Sequence, residues 1–157
     1  MTSKRHKSQP TIFIDRNSGG RTFRGLIEAA GIKVILHSDV FTDDKIADHE
    51  WLDTVSKKGW IVVTGDQATS RSLLFLDRLN RTKSHIFILY QLNGATPEAK
   101  AYHVISLYPW MVEKNTSCQS PSLWRVTKHA KDQVDITDAL GRAKKRLKNS
   151  GQPRTPY

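Results

Sequence analysis

The chain has 157 residues, about one ordinary domain, and its 38% hydrophobic and 25% charged content fits a globular protein rather than a disordered one. Its longest apolar runs, such as Ile86–Tyr90, are about five residues, against the roughly 20 that a bilayer span needs. No apolar h-region follows the basic N-terminus, so we expect a cytoplasmic protein with no membrane partner. The formal net charge is +10, of which residues 1–10 carry +3 and residues 123–157 carry +6.

Residues 1–10 read as a flexible basic lead-in ending at Pro10. Thr11–Ile14 is a short, mostly apolar, β-branched run that predicts a buried strand stopping at Asp15. After turn material at 17–20, Phe23, Leu26, Ile27 and Ala30 follow a helical stripe that ends at Gly31. Residues 33–37 predict a second strand and 38–47 a polar loop. Asp48 stands where a helix cap is wanted, Trp51, Leu52 and Val55 share one face of that helix, and Lys57-Lys58-Gly59 stops it. Residues 60–64 predict a third buried strand, broken by Gly65-Asp66. A helix over 70–79, a fourth strand over 85–90 and a helix from Pro97 to about Val112 come next. Residues 113–122 read as a polar connector, 123–127 as a short edge strand, and 136–147 as a basic helix with Leu140, Ala143 and Leu147 on one side.

Strands and helices alternate, and the strands are continuously apolar. That pattern predicts an α/β fold, a three-layer α/β/α sandwich around a central, mainly parallel sheet. We expect its domain over 11–122 and a basic extension with a helix over 123–157. The single cysteine, Cys118, excludes an internal disulfide and a cysteine-based zinc site.

Two strands end in an aspartate, Asp15 and Asp66, and in a parallel sheet those ends share one rim, where open α/β folds bind ligands. Asp39 follows the second strand and Asp48 starts the helix feeding the third. Clustered carboxylates raise one another's proton affinity, a penalty that a divalent cation removes. Hard oxygen donors without nearby cysteine point to Mg2+ or Mn2+, and metal-assisted phosphodiester hydrolysis is the matching reaction. Each acid also has a plain structural role open to it, capping a helix or turn. Asp43 and Asp44 read as solvated loop acids, and Glu50 as a first-turn acid favoured by its helix dipole. Thr64 and Asn17 suit a metal-bound water or a phosphate, or else satisfy loop backbone. Arg16, Arg21 and Arg71 lie close to the expected rim, and Lys144, Lys145 and Arg146 form a basic cluster suited to a nucleic-acid backbone or to plain solvation. Asp15 is followed by Arg16 and Asn17 rather than by a second acid, which argues against a phosphoacceptor, and Gly19-Gly20 lacks the dinucleotide-binding loop.

The segments Phe13-Ile14-Asp15-Arg16-Asn17, His37-Ser38-Asp39, Asp48-His49-Glu50-Trp51-Leu52 and Gly59–Asp66 together resemble a PIN-like domain, and most of all the short PIN-like group related to VapC toxins. The resemblance spans about residues 11–90. It implies an α/β/α sandwich whose acids hold Mg2+ or Mn2+ for cleavage of single-stranded RNA or DNA. By position it implies Asp15, Asp48 and Asp66 as metal-binding, catalytic acids, with Asp39 as the fourth and Glu50 or Asp43 as its alternatives. Where the family often has a basic residue after its T-x-D turn, this chain has Gln67. The resemblance further implies an RNA substrate, a cognate antitoxin and a homodimer. The competing reading is a catalytically inactive nucleic-acid-binding or regulatory module, suggested by the basic ends.

Overall fold

The computed structural model describes residues 9–15, 20–41, 46 and 48–151. Strand β1 (Ile12–Ile14) is buried on both faces: Ile12 and Ile14 join one apolar cluster, Phe13 the other. The same alternation holds in β3 (Ile61–Thr64), where Ile61 and Val63 face the first cluster and Val62 the second. It holds again in β4 (His85–Leu89), with Phe87 and Leu89 opposite Ile86 and Ile88. Period-two geometry therefore sends each strand's apolar side chains into two cores, one per face.

Helices cover both faces. On the first lie α1 (Arg21–Ala29) and α5 (Pro97–Ser117), which pack against each other and supply Phe23, Ile27, Val104 and Met111. On the second lie α3 (Asp48–Lys58), α4 (Leu73–Leu79) and α6 (Ile136–Gly151), with Trp51, Leu52, Leu76, Leu79 and Leu140 inside. With β2 (Val34–Leu36), β5 (Ser122–Val126) and β6 (Lys131–Val134), the sheet has the order β2-β1-β3-β4-β5-β6. Only β6 runs antiparallel to its neighbour. This is the three-layer, mainly parallel α/β/α sandwich that the sequence predicts.

Local signals explain several boundaries. Gly31 (φ 85°) and Gly59 (φ 70°) end α1 and α3 in the left-handed conformation that only glycine adopts at no steric cost. His37, expected at the end of the second strand, instead opens a four-residue helix α2 (His37–Val40), because the Asp39 carboxylate accepts from the Leu36 main-chain N–H at 2.7 Å and turns the chain. The helix expected over 70–79 is two pieces, a 3-10 turn over Gln67–Arg71 and then α4, separated at Ser72, whose hydroxyl accepts from the Phe75 N–H at 3.3 Å.

Helix α5 runs past Val112 to Ser117, and the Thr116 and Ser117 hydroxyls bond back to the carbonyls of Val112 and Glu113. Strand β5, expected at an edge, is interior, lying between β4 and β6. Residues 122–151 thus continue the same sheet and core: Leu123, Val134, Ile136, Ala139, Leu140 and Ala143 close the second face. Leu147, expected on the apolar side of the last helix, is 58% exposed and lies outside that core. Among the described residues no helix is long and apolar enough to cross a membrane.

Candidate functional site

The C-terminal ends of β1 and β3 are hydrogen-bonded neighbours, with Ile14 opposite Val63 and the Asp15 N–H donating to the Val63 carbonyl at 3.0 Å. The next residues, Asp15 and Thr64, follow the face of Phe13 and Val62 and point to the side covered by α3. Both are buried, Asp15 at 6% exposure and Thr64 at 1%. The Thr64 hydroxyl donates to Asp15 Oδ2 at 2.9 Å and accepts from the Asp66 N–H at 3.0 Å. One side chain thereby holds a buried carboxylate and the turn that carries an exposed one. Asp66 itself accepts from the Ala68 N–H at 3.0 Å through Oδ1 and caps the 3-10 turn. On the far side, Asn93 Nδ2 donates to the Gly65 carbonyl at 2.8 Å, so the loop after β4 ties down the same turn.

Asp39 lies on this rim beyond β2, but its Oδ2 is engaged by the Leu36 N–H and by an ion pair with Arg24 of α1. The same Arg24 also lies 3.8 Å from Glu28. The observed role of Asp39 is to cap α2 and join it to α1. Helix α3 begins at Asp48 and so starts at the rim, whereas the Asp48 side chain, Asp43, Arg16 and Asn17 lie outside the described residues. Glu50 is exposed in the first turn of α3, and Arg21 is exposed at the start of α1. His37 is buried among Phe13 and Phe41, a packing role.

The expected basic residues divide by position. Arg71 ends the 3-10 turn that Asp66 caps, and Arg146 of α6 donates to its main-chain oxygen at 3.2 Å. This contact brings the cationic helix, with exposed Lys144 and Lys145, against the segment leading out of the carboxylate rim.

Hard oxygens are the right donors for Mg2+ or Mn2+, and Mg2+ keeps several waters, so few protein ligands suffice. Asp15 and Asp66 are donors of that kind, and the Thr64 hydroxyl ties the Asp15 carboxylate to the Asp66 main chain. Among the described residues no group of three His, Cys, Asp or Glu side chains gathers closely enough to hold a metal. Sequence reasoning missed Asn93 and Arg24. Both reach the rim through strand order and helix packing, which leave no mark in local periodicity.

Two acids thus lie at the C-terminal edge of a mainly parallel sheet covered by helices on both faces. A family model described as PIN like domain matches residues 10–91, more than half of the chain. The chain belongs to the PIN-like domain family. No curated protein and no solved structure matches it.

Proposed function

We propose that this PIN-like chain is an Mg2+- or Mn2+-dependent endoribonuclease of the toxin type related to VapC, hydrolysing phosphodiester bonds of single-stranded RNA. The observation that carries the reading is the Thr64 hydroxyl shared between Asp15 and the Asp66 turn. Asp15, Asp66 and Asp48 would hold the ion. When bound, the metal supplies Lewis acidity and makes a coordinated water nucleophilic near neutral pH. The protein's own part is positional. Thr64 fixes Asp15, the Ala68 N–H fixes Asp66, and Asn93 fixes the peptide between Thr64 and Asp66. Arg71, Lys144, Lys145 and Arg146 draw the polyanion toward the rim. The reading includes a cytoplasmic location, a cognate antitoxin and a homodimer.

Its test is cleavage of a labelled single-stranded RNA in Mn2+ by Asp15→Asn and Asp66→Asn, with circular dichroism checking the fold. Both are expected to lose activity by at least about a hundredfold. Asp39→Asn, whose carboxylate serves Arg24, is expected to lose less. Undiminished cleavage in the first two variants rules out the site.

One observation favours a second reading. Because Arg24 neutralises Asp39, the rim has less negative charge than a four-acid metal site needs, which suits a nucleic-acid-binding module without catalysis. RNA binding that persists in EDTA, with no product in excess Mn2+, selects that alternative.

A further inference from the structure

One strand beyond the carboxylates, the same rim holds a hollow of about 340 Å3 lined by Tyr90, Gln91, His103 and Lys128. Its position follows from the topology. Tyr90 and Gln91 open the 3-10 turn (Tyr90–Leu92) directly after β4, and Lys128 follows the end of β5, so all lie at the C-terminal edge. That turn ends at Asn93, which bonds the Gly65 carbonyl between Thr64 and Asp66. The hollow and the carboxylates are therefore fixed to each other through one short loop.

Its chemistry is specific. Tyr90 and His103 are half-buried rings, and exposed Tyr102 stands edge-on to His103 with centroids 5.6 Å apart. Lys128 brings an exposed cation to the mouth. Gln91 Nε2 donates to the Thr127 carbonyl at 3.0 Å. A carbonyl can only accept, so this bond fixes which way the amide points. Gln91 Oε1 is buried with no protein partner among the described residues.

Planar rings with a cation and an amide side chain beside them are together the groups that take up an unstacked base and its phosphate. We propose that this hollow is a base-binding subsite, in which one nucleotide of a single-stranded RNA stacks on Tyr90 or His103, places its edge beside Gln91 and sets its phosphate by Lys128. The proposal deepens the nuclease reading and rests on it for the identity of the strand.

The test uses the full chain in EDTA and fluorescein-labelled hexanucleotides of A, C, G or U, with an abasic hexamer of equal charge, read by fluorescence anisotropy. Wild type is expected to bind the base-bearing strands about tenfold more tightly than the abasic one. His103→Ala and Tyr90→Leu should remove that preference, and Gln91→Leu should change the ranking of the four bases. Lys128→Ala should weaken all strands alike. Circular dichroism confirms folding, and because Tyr90 also packs against the core, His103→Ala decides the case if Tyr90→Leu unfolds. Equal affinity of wild type for abasic and base-bearing strands, or a preference intact in His103→Ala and Gln91→Leu, overturns the proposal. Base-dependent binding without any Mn2+-dependent cleavage would sink the nuclease reading and leave the subsite standing. Cleavage with base-independent binding would do the reverse.

Discussion

Asn93 reaches from the loop after β4 to the carbonyl of Gly65, 28 residues earlier, at 2.8 Å. The bond fastens the peptide between the Thr64 hydroxyl and the Asp66 carboxylate. Asn93→Ala should cost about 1 kcal/mol, or roughly 2–4 °C in Tm for a chain of this size. A positioning role predicts more than that loss: kcat for RNA cleavage should fall about tenfold with KM little changed. Asn93→Asp, which has no N–H to give, should behave like the alanine variant. Steady-state kinetics beside thermal melts separate the two effects, and a lowered Tm with unchanged kcat leaves Asn93 only structural.

Thr64→Val keeps the shape of the buried side chain and removes its hydroxyl. The Asp15 carboxylate then loses a donor at 2.9 Å and the Asp66 N–H an acceptor at 3.0 Å. Leaving a buried polar group unsatisfied costs about 1–3 kcal/mol, which urea denaturation will measure. Thr64→Ser should restore most of it. A valine variant as stable as wild type would mean that the hydroxyl does not hold the two acids.

His85 gives stability a pH dependence. Its ring is buried at the start of β4, and Nδ1 lies 2.6 Å from the Ser122 hydroxyl, which also accepts from Trp124 Nε1 at 3.0 Å. An indole can only donate, so Ser122 accepts from Trp124, and its bond to His85 runs in the direction set by the ring's tautomer. Burial pushes the His85 pKa below its ordinary 6.5. The unfolded chain therefore binds the proton more readily than the folded one. The His85 contribution is fully present above pH 6.5 and is lost as pH falls from there through the lowered folded value. Urea midpoints measured between pH 8 and 5 should decline in wild type and decline less in His85→Gln. Parallel profiles would assign the slope to other groups.

The basic face of α6 predicts a salt dependence. Arg146 is used in holding the main chain of Arg71, which leaves exposed Lys144 and Lys145 to meet phosphate. Each phosphate contact on a single strand contributes about 0.7 to the slope of log K against log salt. Replacing both lysines by alanine should lower that slope by about 1.4 for an RNA hexamer in anisotropy titrations. An unchanged slope would make them ordinary solvated side chains.

How far the sequence revealed the molecule depends on where each signal is stored. β1, β3 and β4 were legible because burial on both faces demands uninterrupted apolar residues, as in Ile61-Val62-Val63. β6 was not, since Lys131, Asp132 and Gln133 are exposed at the sheet edge and only Val134 is buried. Asp15 and Asp66 stood out as acids ending strands, a local mark. The partner of Asp39 was invisible, because Arg24 comes from a helix packed beside it and no spacing encodes that pairing. Asn93 was missed for a similar reason: its bond exists only because β4 lies next to β3.

Helix α6 is made after every strand of the sheet, and it is the one that completes the second core. Ile136, Ala139, Leu140 and Ala143 lie in the same cluster as Phe75, Leu76 and Leu79 of α4, so a nascent chain shows those three side chains to its surroundings until α6 emerges. Arg146 then reaches the turn that leads back to Asp66. The scaffold around the rim is thus complete only once α6 has been made, and a chain cut short before α6 would offer chaperones and proteases a bare apolar face instead of a folded product.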